Sequence, residues 1–263
     1  MDVCGAHFFD VVNQFTNLYI SYRGRYVVAL NGSVFIPHVG QECKRLENKA
    51  IIAHLNQRYA IGVFAGFSGS KFLCFDVDLD DLTVVGKVMD GLCEFGIPED
   101  YIFVSTSGGK GYHVEVFFSD LVYTNLLYDL YMFVIAQKQL DHKKVEFRPT
   151  FGQAIKLPLS KHHKTGNVCW YLDRHSFEPI KDIGYVMNIR QMDRDAVEQL
   201  IKDKAKKKMF WHEDCHTVGH AHLLPLNPDN LALETDELPM MTGPGMRNSM
   251  MVSIGVHERY KGT

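Results

Sequence analysis

The run KFLCFDVDL, residues 71–79, constrains this chain more than any other stretch. Side chains alternate faces along a strand, so Leu73, Phe75, Val77 and Leu79 share one face while Cys74, Asp76 and Asp78 share the other. Such a strand packs its apolar face on helices and turns its acids toward a site.

The elements after it give a recognisable order. Leu82–Phe95 has apolar residues at 82, 85, 88, 89, 92 and 95, an amphipathic helix stopped by Gly96 and Pro98. Tyr101–Thr106 reads as a strand, SGGKG (107–111) as a glycine-rich loop, and Tyr112–Phe118 as a third strand. Ser119 and Asp120 are placed to cap a helix running to about Leu140. Lys144–Arg148 reads as a strand and Ala154–Leu159 as a further extended piece. The order β-α-β-β-α-β predicts an α/β (α+β) core of the ferredoxin-like, RNA-recognition type. Right-handed crossovers put both helices on one side of the sheet and leave the other side free.

In that topology the first strand is central and is flanked by the third and the fourth. Asp76 and Asp78 then lie between His113 on one side and Glu146 on the other. Glu115 and Phe117 share the face of His113; Arg148 shares that of Glu146, and Lys156 alternates with Ile155 and Leu157. Carboxylates gathered on one face repel each other unless a cation neutralises them, and their oxygens suit Mg²⁺ or Mn²⁺. Two such ions bridged by carboxylates form a clamp for phosphoryl transfer. The amides of Gly108, Gly109 and Gly111 can form a nest for phosphate, with Lys110 as counter-charge and His113 as a donor. Arg148 and Lys156, both expected on the acidic face, are further triphosphate partners. The loop is not a P-loop, because Lys110 is followed by Gly111.

The flanks say less. Tyr26–Leu30 and Ser33–Ile36 read as a hairpin turned at Asn31-Gly32. Residues 42–57 read as a helix and Ile61–Ala65 as a short strand. Lys202, Lys204, Lys206, Lys207 and Lys208 end a helix that begins near Asp193. A net charge of −3 gives no global basic field, so contact with nucleic acid must come from a local patch. No apolar run is long enough to span a bilayer, and the first residues lack a secretory pattern. Six cysteines, none in a CxxC pair, read as reduced thiols of a cytoplasmic protein.

Three segments carry a resemblance. FDVDLDD (75–81), STSGGKGYHVEVFF (105–118) and VEFRPTFGQAIKLPLSKHHKTG (145–166) resemble, in order and spacing, the signature regions of the archaeo-eukaryotic primase superfamily. The likeness is strongest to primase-polymerases of prokaryotic mobile elements, conflict systems and CRISPR-associated loci. It implies that Asp76 and Asp78 hold the catalytic metals with Glu146 as the third acid, where related sequences carry an Asp. It implies that Ser107, Lys110 and His113 contact the incoming nucleotide. The family's KLPLG-x-H segment stands here as Lys156-Leu157-Pro158-Leu159-Ser160, with Ser for the usual Gly, followed by His162 and His163; His162 is carried over as a binding residue. The implied reaction is template-directed nucleotidyl transfer with nucleoside triphosphates on single-stranded DNA, extending a primer strand or starting one. Phe117 or Tyr112 is then available to stack on bases. A helicase or another replication or defence protein is an expected partner.

The expected division is a catalytic domain over 1–210, with an N-terminal unit over 1–70 and a core over 71–175. A linker and the start of a helical element follow over 211–263, as in the opening of a longer protein. His212, Cys215, His216, His220 and His222 are residue types that bind Zn²⁺, although their spacing matches no common zinc pattern. Two other readings remain at this point. One is an RNA-recognition-like sheet that binds nucleic acid without chemistry, against which the three acids argue. The other is an Asp-x-Asp glycosyltransferase.

Overall fold

The computed structural model describes residues 5–209. The His-rich segment, the Pro/Asn-rich linker and the C-terminal GMRN stretch lie outside the described residues. Helix α1 (Gly5–Tyr19) leads into a hairpin of β1 (Tyr26–Leu30) and β2 (Ser33–Phe35). Asn31 and Gly32 turn it with φ of 48° and 81°, the left-handed pair that a two-residue hairpin turn needs. A smaller hairpin of β3 (His38–Val39) and β4 (Glu42–Cys43) precedes α2 (Asn48–Leu55) and β5 (Ala60–Val63). The core then runs β6 (Gly69–Val77), α3 (Leu82–Phe95), a 3₁₀ turn at Glu99–Tyr101, β7 (Ile102–Thr106), β8 (Tyr112–Tyr123), α4 (Thr124–Gln137) and β9 (Val145–Arg148). Four two-residue strands, β10 (Ile155–Lys156), β11 (Tyr171–Leu172), β12 (Pro179–Ile180) and β13 (Gln191–Met192), come before α5 (Arg194–Met209).

The large sheet has the order β12-β11-β7-β8-β6-β9, with β13 added parallel to β8. Its four core strands pair antiparallel, and β6 is central between β8 and β9, as the βαββαβ order predicts. On one face Leu73, Phe75 and Val77 pack with Val85, Val88 and Leu92 of α3 and with Leu127, Leu130 and Val134 of α4. Asp81 caps α3 by accepting from the Thr83 amide at 2.8 Å, and Gly96, with φ 116°, ends it.

The opposite face is not free. Phe72, Cys74, Phe103 and Phe117 belong to a second core with Val11, Phe15, Leu18 and Tyr19 of α1 and Ile51 and Leu55 of α2. A second, four-stranded sheet, β10-β5-β1-β2, carries Val28, Ile61, Val63 and Ile155 into the same core. At the C-terminal end of β6 the face stays accessible, with Asp76 part-buried and Asp78 exposed.

Two expected helices start elsewhere. Residues 42–43 pair in a hairpin, and the Leu46 amide donates to the Arg23 carbonyl at 2.8 Å, so the chain stays extended until Asn48. Ser119 and Asp120 do not cap α4. The ladder continues with Ser70 opposite Val122 and Gly69 opposite Tyr123, past an irregularity between Ser70 and Phe72. Burying Val122 in the core outweighs the local cap signal.

Candidate active site

The acids meet because the register makes them meet. Asp76 lies opposite His113 on β8 and opposite Glu146 on β9. Asp78 follows two residues later on the same face. Its amide donates to the Lys144 carbonyl at 2.8 Å, which ties the end of β6 to the entry of β9. Asp76, Asp78 and Glu146 each offer a carboxylate oxygen within 4.8 Å of the others. Burial first, and repulsion from Asp78 and Glu146 after it, push Asp76 up to about 7, against the opposing charges of Arg148 and Lys156. Asp78 is exposed and Glu146 partly so, which leaves the cluster open to solvent. A mutually repelling, all-oxygen donor set fits a hard divalent cation.

Two cations approach the acids from different sheets. Arg148 contacts Glu146 with one guanidinium nitrogen and donates from the other to Gln153 Oε1 at 2.8 Å. Lys156 does not continue the acidic sheet. It lies on β10, opposite Gly62 of β5, and its ammonium reaches the Ser107 carbonyl and the Cys169 thiol beneath the glycine loop. A cleft of about 370 Å³ opens beside Glu146, lined by Tyr128, Tyr131, His142, Arg148 and Gln153.

The glycine loop is built differently from a free phosphate nest. The Ser107 hydroxyl accepts from the amides of Gly109 at 3.4 Å and Gly111 at 3.1 Å, so two of the three expected amides turn inward. Gly108 has φ +76°, and a Cβ there would meet Cys169 Sγ and His162 Cβ, each at 2.7 Å. At Gly111 a Cβ would meet the Val77 carbonyl oxygen at 2.3 Å. Both glycines let the loop lie against β6 and the 162–169 segment. Lys110 is exposed at the tip. Thr165 donates to the Gly108 carbonyl at 2.7 Å, and its amide donates to His162 Nδ1 at 3.3 Å, so His162 braces the loop from outside.

His113 is nearly enclosed, with 2% of its surface exposed, and its Nε2 lies 3.6 Å from Asp76 Oδ1. Burial first, and Lys156 second, hold it down at about 3, so it is neutral. It sits behind Asp76 rather than in the open position expected of a phosphate donor. Glu115 is fully buried and bonds neither Arg148 nor Lys156. Tyr19 of α1 donates to its Oε2 at 2.9 Å, and the Tyr19 and Tyr171 hydroxyls are in contact. Burial, with Asp76 adding to it, pushes Glu115 up to about 8. Phe117 cannot stack on a base: it is fully buried, with its ring 5.1 Å from that of Tyr19. Tyr112 packs on the helix side of the sheet and donates to Asp80 at 3.2 Å.

Tyr19, Tyr171, Cys169 and Thr165 are site neighbours that the sequence reading missed. Only Tyr19 had a signal, the apolar helical spacing of residues 8, 11, 12, 15, 18 and 19. In α5, Lys202 pairs with Glu198 at 3.3 Å, and Lys204 reaches the Glu94 carbonyl at 3.2 Å, so these two lysines serve the helix surface.

A sheet of this topology, with acids on its central strand and a glycine loop opening the next one, belongs with the primase-like nucleotidyltransferase domains. Residues 35–200 match the family described as TOTE conflict system, Archaeo-Eukaryotic Primase domain, and the chain belongs to that family. Membership removes the glycosyltransferase alternative. Among solved structures, the chain is similar to the archaeo-eukaryotic primase domain of the cyanophage S-2L primase-polymerase. That likeness has 15% identity, covers 73% of this chain and 97% of that one, and has a TM-score of 0.45. A second similar structure is the polymerase domain of Mycobacterium tuberculosis Ligase D in complex with DNA, at 15% identity, 74% and 87% coverage and a TM-score of 0.40. A third is the primase RepB′, at 12% identity, 78% and 65% coverage and a TM-score of 0.41. No curated protein matches the chain. Among the described residues, no helix is long and apolar enough to cross a membrane.

Proposed function

We propose that this chain is a template-directed nucleotidyltransferase that makes or extends primers on single-stranded DNA. The observation that carries the reading is the convergence of Asp76, Asp78 and Glu146, through strand register, on one open patch. In the proposed reaction the 3′-hydroxyl of a primer, or of a first nucleotide, attacks the α-phosphate of a nucleoside triphosphate and pyrophosphate leaves. Divalent cations at the three carboxylates supply charge neutralisation and activation of the hydroxyl.

The chain's own residues take the following parts. Asp76, Asp78 and Glu146 hold the cations. Arg148 keeps Glu146 turned toward Asp76. His113, neutral and enclosed, backs Asp76 and limits its movement. Lys156 and Ser107 fix the glycine loop, and Lys110 offers its charge to the triphosphate from the tip. His162 holds the loop's outer side. The catalytic domain is proposed to extend over residues 1–210, with a linker and the start of a helical element over 211–263.

The test is primer synthesis and extension by the purified chain on a single-stranded DNA template with Mg²⁺ or Mn²⁺. Incorporation is expected, and Asp76→Asn with Asp78→Asn is expected to abolish it. No incorporation with either ion overturns the reading. Template binding that is indifferent to the double variant, in a chain that incorporates nothing, leaves a binding module in its place.

A further inference from the structure

The acidic sheet does not supply a free ring for stacking on bases, since Phe117 is core and Tyr112 lies on the helix side. Three other rings gather at the surface. Phe67, in the turn between β5 and β6, is 72% exposed, and Phe151, in the loop from β9 to β10, is 41% exposed. Their centroids lie 4.4 Å apart with the planes tilted by 33°. Tyr22, just before β1, completes the group at 6.1 Å from Phe67 and 6.4 Å from Phe151. Large exposed rings are ordinary when scattered, but a cluster of them marks a surface that something covers.

The cluster is braced from behind. The Arg25 guanidinium lies 4.2 Å from the centroid of the buried Phe64 ring and 4.7 Å from that of Phe151, and it donates to the Phe151 carbonyl. The Gly66 amide donates to the Gly69 carbonyl at 2.9 Å, closing the turn that carries Phe67. The Ala65 amide donates to the Thr150 carbonyl at 3.1 Å, which joins the two loops. Thr150 and Gln153, on either side of Phe151 in the chain, line the cleft beside Glu146. Gln153 also accepts from Arg148, the residue that contacts Glu146. The loop that presents Phe151 thus borders the cleft at which the acids stand.

Local charge favours an anionic partner. Segments 20–25, 64–71 and 149–154, which build this surface, hold Arg23, Arg25 and Lys71 and no Asp or Glu. The whole chain, by contrast, has 31 acids against 28 Lys and Arg. Open aromatic faces beside cations suit bases that are unpaired and carry their phosphates with them. A duplex hides its base faces.

We propose that Phe67 and Phe151, with Tyr22 at their edge, form a stacking platform for unpaired bases of single-stranded DNA, the template of the reaction proposed above, on which this assignment rests. Arg23, Arg25 and Lys71 supply the positive field for its phosphates. Stacking reads only the flat face that every base has, so the platform accepts any sequence, as a template site must.

The test is binding of a fluorescent single-stranded oligonucleotide carrying 2-aminopurine to the full chain, followed by anisotropy and by the quenching that stacking causes. Asp76→Asn with Asp78→Asn in every sample keeps metal and chemistry out of the readout. Phe67→Leu with Phe151→Leu preserves apolar surface and removes the aromatic faces. It is expected to weaken binding at least about fivefold and to relieve the quenching, while Phe67→Trp retains both. Val34→Ala with Phe35→Ala, at exposed apolar residues of the β1–β2 hairpin, is expected to change neither. Where Phe151→Leu does not fold, Phe67→Leu alone decides, because that ring is mostly exposed. The proposal is overturned by absence of binding, by a smaller loss in the leucine variant, by an equal loss in the hairpin variant, or by self-association that the leucine variant abolishes while DNA binding stays unchanged. Primer extension by the wild-type chain, run alongside, separates the two claims. Extension with unaltered binding in the leucine variant removes the platform alone. Platform-dependent binding without any extension removes the nucleotidyl-transfer reading and leaves a strand-binding surface.

Discussion

Asp76 and Glu146 are register partners across β6 and β9, and their carboxylates share one patch with Asp78 although like charges repel. Burial first, and the neighbouring acids after it, push Asp76 up to about 7. Asp76→Asn removes the charge without changing the shape. In chelator it is expected to leave stability unchanged or raise it by about 1–2 kcal/mol, because burying an unpaired charge is unfavourable. With Mg²⁺ or Mn²⁺ the wild type is expected to melt at a higher temperature, and the double Asn variant is expected to show no such shift. Thermal melts with and without the ion check both. A marked loss of stability for Asp76→Asn in chelator would show that the carboxylates are held together by something other than a cation.

The two inner glycines give a sharper contrast. Gly111→Ala drives a Cβ to 2.3 Å from the Val77 carbonyl oxygen, where β6 turns toward Asp78. Backbone cannot swing away as a side chain can, so a loss of about 1–3 kcal/mol and a displaced Asp78 are expected. At Gly109→Ala the Cβ meets the His162 ring and Ser107 Oγ, each at 3.8 Å and in ordinary contact, and the change is expected to be nearly neutral. Chemical denaturation of the two variants, side by side with primer extension, separates them. Equal effects at both positions would mean that the loop does not depend on its approach to β6.

The central strand and its register were legible in the sequence, because period-two alternation through KFLCFDVDL and YHVEVFF fixes which side chains share a face. Joined to the βαββαβ order, which makes the first strand central, it put Asp76 between His113 and Glu146, as observed. What covers the second face was not legible. The apolar spacing of α1 was present, but no local rule says which sheet a distant helix will cover. Once Phe15 and Tyr19 pack over Phe72 and Phe117, aromatic residues that alternation assigns to an open face become core. The same gap misplaced Lys156. Its alternation was read correctly, but its pairing with Gly62 in another sheet rests on contacts between residues 94 positions apart. The inward turn of the Gly109 and Gly111 amides depends on the Ser107 rotamer, which composition cannot supply.

Tyr19 ties the N-terminal helix to the middle of the core sheet. Its hydroxyl donates to Glu115 Oε2 at 2.9 Å in a fully buried setting. Tyr19→Phe keeps the ring packing and removes only that donor. Glu115 is then left with neither carboxylate oxygen bonded, at a cost of about 1–3 kcal/mol. Denaturant melts at neutral pH check this. Tyr19→Phe with Glu115→Leu removes both polar partners, and it is expected to recover part of the loss. A double variant weaker than the sum of its parts would place the stabilisation elsewhere than in this pair.

His54 gives the fold a dependence on pH that does not involve the carboxylate site. It lies fully buried on α2, accepting from the Ile61 amide at Nδ1, 3.0 Å away, and bonding the Pro158 carbonyl through Nε2 at 2.7 Å. Those two bonds require the neutral ring protonated at Nε2. Burial is the main cause that holds the imidazole at about 4 against an ordinary value of 6.5, while the Pro158 bond opposes it. The folded pKa lies below the unfolded one, so the unfolded chain takes the proton first. The stabilisation from this group is therefore complete above pH 6.5 and is lost as pH falls toward 4, by about 3 kcal/mol over that window. His113, also held low by burial, acts in the same direction. His54→Gln cannot be charged, and it is expected to be less stable at pH 7 but to lose less between pH 6.5 and 4. Denaturation free energies at several pH values give the two slopes, and parallel slopes for wild type and variant would exclude His54 as their source.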